Sequence, residues 1–295
     1  MELTVDEKAK RVDKYIEEHS ELTRNQIEKL ISLKQILVNN KIVKKSYQLK
    51  ENDIITINIK EEDNHLVATN IPLDIIYEDD DIIVVNKQSG LVVHPAIGHN
   101  DDTLVNGLLY YTKLSDINEA RPGIVHRIDA DTSGLLIIAK NNKVHHILAD
   151  MIKNRQVTRK YIALVDKVIT EDTALIDAPI GRDINNRKKM AVTNINSKPA
   201  ITHIKVLERY PSSTLIECKL ETGRTHQIRV HLNYINHDII NDPLYSKNKP
   251  IIKEFGQMLH AYYLEFKHPI TNEKLVFTVD PPKQFIDIQN MKKQK

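Results

Sequence analysis

Glycine is scarce in this chain and confined to one part of it. The 295 residues include 8 glycines, whereas average usage of about 7% would give roughly 20. All of them lie between Gly90 and Gly256. Because this composition avoids glycine, those that remain are expected where only glycine fits, at positive φ or under close backbone approach. The distribution predicts a glycine-free N-terminal domain and a larger remainder that carries the functional site.

Length and composition indicate a folded chain of two domains. At 295 residues it is long for one compact core, so one larger and one smaller domain are expected. Hydrophobic residues make up 41% and charged residues 28%, and no run approaches the roughly 18 apolar residues of a membrane span. The charged start, Met1 to Lys10, lacks an apolar signal core. We therefore expect neither membrane insertion nor secretion.

Cysteine usage and net charge by themselves say little about the function. The single cysteine, Cys218, cannot form an internal disulfide, and its place between Glu217 and Lys219 favours a strand position over a nucleophile. A reducing cytoplasm fits this usage. The formal net charge is +2, because 42 basic and 40 acidic residues nearly cancel. Only the placement of the charges can therefore indicate a polyanion site.

The N-terminal residues predict a small α+β domain over residues 10–60. Val12 and Tyr15 recur at helical spacing, and Thr23 followed by Gln26 is typical of a capping box that opens a second helix. The β-branched run from 54 to 59 predicts a strand. Residues 61–70 are polar and charged, which indicates a linker to a second domain over residues 71–290.

The segments TRNQIEKLI and ILVNNKIVKK make the N-terminal domain resemble the RNA-binding domain of ribosomal small-subunit protein S-four. The resemblance implies phosphate contacts, although a solvated charged face is the simpler interpretation without it. The basic residues concerned are Arg24, Lys41, Lys44 and Lys45. Lys34 and Asn40 stand where that family usually carries glycine. Since lysine adopts the left-handed conformation poorly, we expect the loop around Lys34 to be reshaped.

From residue 71 onward, strand patterns mix with helix patterns. Two apolar runs, 75–77 and 82–85, flank an acidic turn and predict a hairpin. Further strands are predicted at 161–165 and 202–206, and helices at 103–112, 144–153 and 225–235. Because strands and helices do not alternate strictly, the pattern favours a mixed α+β domain around a largely antiparallel sheet.

The segment RPGIVHRIDADTSGLLIIAK, residues 121–140, places a polar loop between two apolar strands. Gly123 and Gly134 bracket the loop. Asp129 would project from it as from a rigid, partly apolar platform, which suits a reactive carboxylate. We expect a tight turn fixed by bonds to nearby backbone from the side chains of Asp131, Thr132 and Ser133. On this loop alone, a purely structural turn stays open.

The segment LETGRTHQIRVHL, residues 220–232, indicates a strand end followed by a helix. A helix beginning near Thr225 would bury an apolar seam beside Arg229. We therefore expect the Arg229 guanidinium to be partly buried and to need an anionic partner. Asp129 is a candidate, and the ion pair would keep the aspartate ionised and fix its direction.

These segments resemble the large-subunit-ribosomal-RNA pseudouridine synthase family. HRIDADTSG, TRKYIALV and GRTHQIRVHL look like its three active-site motifs, and the match runs over most of residues 71–282. The resemblance implies an isomerase that converts uridine to pseudouridine in structured RNA without a cofactor, and the sequence contains neither a P-loop nor a dinucleotide fingerprint. Ribosomal RNA is the expected partner and transfer RNA the alternative, with no membrane and no obligate protein partner indicated.

The resemblance also implies roles for single residues. Asp129 would attack or stabilise the sugar as the base detaches, Tyr161 would lie against the uracil, and Arg229 would hold the aspartate. Arg127 would fill the space that the uridine leaves when it is extruded from the RNA. Without the resemblance, Tyr161 is interpreted as a core strand aromatic and Arg127 as part of a surface ion pair.

Histidines and a basic strip adjoin these segments. The histidines show no HExxH pattern and no cysteine pair, so no metal is expected, and bonds to backbone or RNA are predicted for His126, His226 and His231. Arg224 is expected to contact RNA beside His226. A basic strip with only Asp183 to offset it suits phosphate, with a disordered solvated loop as the alternative. It comprises Arg182, Arg187, Lys188, Lys189 and Lys198.

Two other functions stay open. A non-catalytic RNA-binding or ribosome-assembly factor could share this fold, but it would have no need of Asp129 beside Arg229. A metal-dependent hydrolase that uses the histidines is the second, and sensitivity to a chelator would distinguish it from a synthase.

Overall fold

The computed structural model describes residues 1–6, 10–58, 66–96, 98–246, 252 and 255–294. The chain divides into two compact units, Met1–His65 and Leu66–Lys295. The expected linker over 61–70 lies partly outside the described residues, and from 66 to 70 the backbone has no regular secondary structure. In the described part of the chain, no helix is long and apolar enough to cross a membrane.

The N-terminal unit packs two helices against a small antiparallel sheet. Val12, Ile16, Ile27 and Ile55 are fully buried in its core. The capping box is present at the start of the second helix, where the backbone N–H of Thr23 donates to the Gln26 side chain at 2.8 Å. The elements are β1 (Glu2–Thr4), α1 (Val12–His19), α2 (Arg24–Ser32), β2 (Ile36–Val38), β3 (Lys41–Ile42) and β4 (Ile54–Ile57), with strand order β1-β4-β2-β3. Ile59, in the strand predicted over 54–59, lies outside the described residues.

Lys34 keeps the left-handed turn that ends α2. Its φ is 59°, and the amides of Lys34 and Gln35 donate to the carbonyls of Ile31 and Leu30, which are the two bonds of a Schellman motif. The expectation of a reshaped loop is therefore wrong. The two hydrogen bonds outweigh the strain of a side chain at positive φ, which is about 1–2 kcal/mol.

Lys34→Gly should stabilise the N-terminal unit by about 0.5–1 kcal/mol, because glycine removes the strain at positive φ while both hydrogen bonds persist. Hydrogen exchange of the amides of α1, α2 and β2 in the full chain measures the change. Lys14→Gly is the matched control, since Lys14 is exposed inside α1 and should lose about 1 kcal/mol. Destabilisation by both substitutions would contradict the strain argument.

The larger unit is built around one mixed sheet. Its described strands run in the order β5 (Ile75–Glu78), β6 (Ile82–Lys87), β7 (Ser133–Ala139), β14 (Leu259–Lys267), β8 (Thr158–Asp166), β13 (Ser213–Leu220), β12 (Ile201–Arg209) and β9 (Thr173–Asp177), with β15 (Lys274–Thr278) beside β14. A separate hairpin consists of β10 (Ile180–Arg182) and β11 (Met190–Val192). The helices are α3 (Leu104–Tyr111), α4 (Asn142–Lys153), α5 (Gln227–Tyr234) and α6 (Lys283–Lys293).

Strand directions confirm the expected fold class. Among the described strands of this sheet, β7 and β14 pair in parallel and the remaining pairs are antiparallel. The unit is therefore a mixed α+β domain around a largely antiparallel sheet. Cys218 is buried in β13, as expected for a strand position, and burial raises the pKa of its thiol.

The centre of the sheet brings the candidate residues to one place. β7 is buried along its whole length and directly follows the loop that carries Asp129. β14 alone separates β7 from β8, on which Arg159 and Tyr161 occupy buried alternate positions. Arg229 lies on α5, the helix that follows β13 in the chain. In the sheet, β13 is the neighbour of β8.

The loop before β7 is held by long-range packing. Gly134 has a φ of 113°, and a Cβ there would lie 2.3 Å from the carbonyl oxygen of Ala261 in β14, so only glycine fits. The prediction that Asp131, Thr132 and Ser133 bond nearby backbone is wrong for the two hydroxyls, and the Asp131 carboxylate has no hydrogen bond to the described residues either. Thr132 Oγ1 accepts from Gln257, and Ser133 Oγ bonds His260 Nδ1, both at 2.8 Å. Because these hydroxyls are buried, they pair with the segment that covers them rather than with their own turn.

Candidate active site

Asp129 lines a cavity of about 490 Å³, within the size range of small-molecule sites. The wall combines the segments singled out from the sequence: residues 125–129, the start of β8 and residues 220–229. The last turn of α4 closes another side. One cavity therefore brings together the catalytic candidates Asp129, Tyr161 and Arg229.

Arg229 links Asp129 to a second carboxylate. Its Nη1 donates to Asp129 Oδ2 at 2.9 Å. Its Nε and Nη2 donate to the two carboxylate oxygens of Asp242 at 2.7 and 2.9 Å. The Asp242 side chain is fully buried and that of Asp129 is 16% exposed. The expected ion pair is present, and Asp242 is a further partner that the sequence did not indicate.

The shared guanidinium fixes the direction of Asp129. Burial lowers the pKa of Arg229, but the hydrogen bonds and charge of Asp242, together with Asp129, outweigh this, so that its pKa lies above the ordinary value. Arg229 is therefore permanently charged. Since the planar pair with Asp242 holds two of its nitrogens, the third points in one direction, toward Asp129. The other Asp129 oxygen, Oδ1, lies 4.0 Å from His226 Nε2.

Tyr161 is 5% exposed and lines the same cavity. Burial raises the pKa of Tyr161; the charge of Arg159 lowers it and that of Asp129 raises it, with a net increase. The phenol is therefore protonated near neutral pH. Its position on the cavity wall suits contact with a base, and that role stays a prediction.

Arg127, Arg224 and His226 line the cavity, where RNA contact was predicted for them. Arg127 is exposed, and Arg224 Nε donates to the Pro199 carbonyl at 3.0 Å. His226 Nδ1 bonds the Tyr245 hydroxyl at 2.8 Å. Burial lowers the pKa of His226, so its imidazole is neutral at pH 7. These side chains surround Asp129 with hydrogen-bonding groups.

His126 and His231 serve the fold. His126 Nε2 accepts from the Ile137 amide of β7 at 3.0 Å, and burial lowers the pKa of His126 to about 3. His231 bonds Thr202 Oγ1 through Nδ1 and the Ala178 carbonyl through Nε2, both at 2.9 Å. The backbone bonds expected for these two histidines are thus present. Because both His231 nitrogens are bonded to protein atoms, the histidines do not form a common ligand set.

Four residues of the basic strip lie on the β10–β11 hairpin, and the fifth, Lys198, pairs with Ile180 beside it. Asp183 Oδ1 accepts from the amides of Asn185 and Asn186 at 2.8 Å, so that this carboxylate is used inside the turn. Arg182 donates to the Arg187 carbonyl at 2.6 Å, and the side chains of Arg182, Arg187 and Lys188 are exposed. Lys189 Nζ lies 5.5 Å from the centroid of Tyr245, the ring that bonds His226. The hairpin therefore adjoins the cavity.

The other predicted RNA contacts belong to the N-terminal unit. Arg24, Lys44 and Lys45 are exposed there. Glu28 lies 3.6 Å from Arg24 and 3.9 Å from Lys45, at distances that leave both cations available to solvent.

Lys87 is a residue that sequence reasoning missed. It is 2% exposed, and its Nζ donates to the carbonyls of Gln88, Leu91 and Ala130 at 2.8, 2.8 and 2.6 Å. Burial lowers the pKa of Lys87 to about 7. Three carbonyls match the three donors of an ammonium group, so Lys87 ties the residue after Asp129 to the segment after β6. The available signal was a lysine just beyond an apolar run in VVNKQSGLVVHP.

Family comparison fits this geometry. A model described as RNA pseudouridylate synthase matches residues 81–234, which include Asp129, Tyr161 and Arg229. The chain belongs to the RNA pseudouridylate synthase family. An S4 domain model matches residues 10–55, in the N-terminal unit. The protein is therefore a pseudouridine synthase with an RNA-binding S4 domain, and RNA is its partner.

Two relatives and one solved structure support this family assignment. The chain is 47% identical to the RNA pseudouridine synthase YlyB of Bacillus subtilis (strain 168), over 98% of this chain and 96% of that protein. It is 46% identical to the ribosomal large subunit pseudouridine synthase D of Neisseria meningitidis (strain Z2491), over 77% of this chain and 63% of that protein. The solved structure of human RNA pseudouridylate synthase domain containing 1 matches with a TM-score of 0.60 and 29% identity, over 72% of this chain and 85% of that chain.

Asp242→Asn should lower kcat about tenfold to hundredfold and change KM less than about threefold, because the guanidinium loses its bidentate anchor and no longer directs Asp129. The same substitution should cost about 1–3 kcal/mol of stability. Pseudouridine formation and thermal unfolding measure the two effects. Asp177→Asn, at an exposed carboxyl outside the cavity wall, is the matched control and should change neither. A rise in KM without a fall in kcat would contradict this role for Asp242.

Proposed function

We propose that this enzyme isomerises uridine to pseudouridine in large-subunit ribosomal RNA, with Asp129 as the essential carboxylate. The observation that carries the proposal is the 2.9 Å bond from Arg229 to Asp129 at the wall of a 490 Å³ cavity. A carboxylate held by a permanent cation is ionised, directed and still open to a ligand on its other oxygen. Those properties suit an anion that acts on a sugar carbon where positive character develops.

The reaction rearranges bonds within one nucleotide. The bond between N1 of uracil and C1′ of the ribose breaks, a bond between C5 and C1′ forms, and the proton of C5 is lost while N1 gains one. Asp129 attacks or stabilises C1′ while the base is detached. No electrons are exchanged with another molecule, so the proposed chemistry requires no redox cofactor and no energy source.

The remaining cavity residues have positions that suit holding the base. Tyr161 lies against the face of the uracil, and its protonated phenol is available for hydrogen bonding. A base inside folded RNA must leave its stack to reach a cavity of this kind. Arg127, exposed at the rim, occupies the space that the nucleotide vacates.

Ribosomal RNA is the proposed substrate because a relative 46% identical to this chain is named a ribosomal large subunit pseudouridine synthase. The exposed basic residues of the β10–β11 hairpin and of the S4 domain supply contacts to the phosphates of a folded RNA. Such a substrate places the enzyme in the cytoplasm. Transfer RNA is the second candidate, and the experiment below includes it.

Asp129→Asn should reduce tritium release from RNA labelled at C5 of uracil by at least about a thousandfold, because the amide cannot supply the negative charge. The substrates are transcripts of large-subunit ribosomal RNA and of transfer RNA. Asp131→Asn is the matched control, since Asp131 lies in the same loop but does not line the cavity, and it should keep the wild-type rate.

Each result has a separate meaning. Release by both wild type and Asp129→Asn would remove Asp129 from its role. Release from transfer RNA alone would replace the proposed substrate. Release by neither, from either RNA, would favour a non-catalytic RNA-binding factor on this fold.

A further inference from the structure

Arg159 is a buried cation that has no anionic partner among the residues that the structure describes. It is 7% exposed, lies on β8 two residues before Tyr161 and lines the active-site cavity. Within the described part of the chain, its guanidinium has no hydrogen-bond or ion-pair partner, and its Nε is buried without an acceptor. Arg229, which is buried to a similar degree, is bonded to two carboxylates. An unpaired buried charge is costly, so such a group is expected to bind an anion from outside the chain.

Gly223 leaves room for this guanidinium. A Cβ at Gly223 would lie 3.1 Å from Arg159 Nη1. Gly223 is not at positive φ, so its backbone conformation does not require glycine. A side chain at residue 223 would instead be in tight contact with the Arg159 guanidinium, which would have to shift by a few tenths of an ångström. The loop between β13 and α5 therefore lies directly against the guanidinium.

The wall of this cavity contains several basic side chains. Lys153, Arg155 and Arg224 line it together with Arg159. Glu221, a carboxylate in the same wall, is bonded to Arg155 and lies 2.6 Å from His203. The carboxylate of Asp129, which also lines the cavity, is held by Arg229. Neither of these carboxylates neutralises Arg159, and a negatively charged ligand is favoured here.

We propose that Arg159 binds a phosphodiester of the RNA, adjacent to the uridine that reacts. This inference rests on the proposed function and extends it to the position of the RNA backbone. The planar fork of a guanidinium matches two oxygens of a phosphate. Side chains two residues apart on one strand face are roughly 7 Å apart. The spacing between Arg159 and Tyr161 is therefore comparable to that between a base and a neighbouring phosphate. Tyr161 then faces the base and Arg159 the backbone beside it.

In the free enzyme, the unpaired charge of Arg159 destabilises the folded state. Arg159→Met keeps most of the side-chain volume but removes the unpaired charge. It should raise the unfolding temperature of the free protein by a few degrees while it weakens RNA binding. A residue with a purely structural role would show the opposite sign, a fall in unfolding temperature.

The kinetic test uses a short RNA that carries the uridine modified by wild type, mapped first on transcribed large-subunit ribosomal RNA. Arg159→Met should raise KM roughly tenfold to hundredfold and change kcat less than about threefold. The slope of log KM against log salt concentration should become smaller by about the amount that one phosphate contact contributes. Lys160→Met is the matched control, because Lys160 lies on the opposite face of β8, 3.3 Å from Glu217. It removes the same charge and should leave KM unchanged.

A modified RNA locates the contact. Each of the two phosphodiesters that flank the reacting uridine is replaced in turn by a neutral methylphosphonate. At one of them, wild type should lose affinity by the factor seen for Arg159→Met, and the variant should lose no more. Equal losses for wild type and variant at both positions would overturn the proposal, as would a loss confined to kcat or a fall in unfolding temperature. If wild type forms no pseudouridine in any RNA, the proposed function fails as well; if it does and Arg159→Met binds equally tightly, the phosphate site alone fails.

Discussion

A single buried guanidinium organises the active site. Arg229 is held by both oxygens of Asp242 and has one nitrogen left for Asp129, so the fully buried carboxylate sets the direction of the partly exposed one. In a dry interior, charges that are paired in this way stay ionised, whereas a lone carboxylate would gain a proton. The sheet and helix α5 serve to bring these three groups, from distant parts of the chain, to hydrogen-bonding distance.

Several contacts hold the loop that carries Asp129 and the start of β7, which follows it. The backbone of β14 lies directly against Gly134, and Lys87 Nζ donates to the carbonyl of Ala130. Thr132 and Ser133 anchor the same loop to the segment that begins β14. A carboxylate on a loop fixed at several points is positioned before substrate binds, and such preorganisation is the main source of electrostatic catalysis.

Sequence reasoning succeeded where a residue's own chemistry demands a partner or a local pattern. A helix seam that buries Arg229 requires an anion, which correctly indicated Asp129, and Thr23 with Gln26 correctly predicted a capping box. Sequence reasoning failed for hydrogen bonds between residues that are distant in the sequence and meet only in the folded chain. The spacing of residues gives no sign that Ser133 pairs with His260, 127 residues away. It also gives no sign that Arg159 is without an anionic partner among the described residues. The turn at Lys34 was predicted wrongly because propensity is a weak term beside two backbone hydrogen bonds.

The central claim is that Asp129, directed by Arg229, faces the sugar of an extruded uridine. The most direct measurement is a crystal structure of the Asp129→Asn variant bound to the RNA that wild type modifies, since the amide holds the substrate before reaction. The uridine should lie outside its stack, with C1′ within about 3.5 Å of the residue 129 side chain and Arg229 on the other side of that side chain. A uridine that remains stacked in the RNA, or a residue 129 side chain turned away from the ribose, would contradict it.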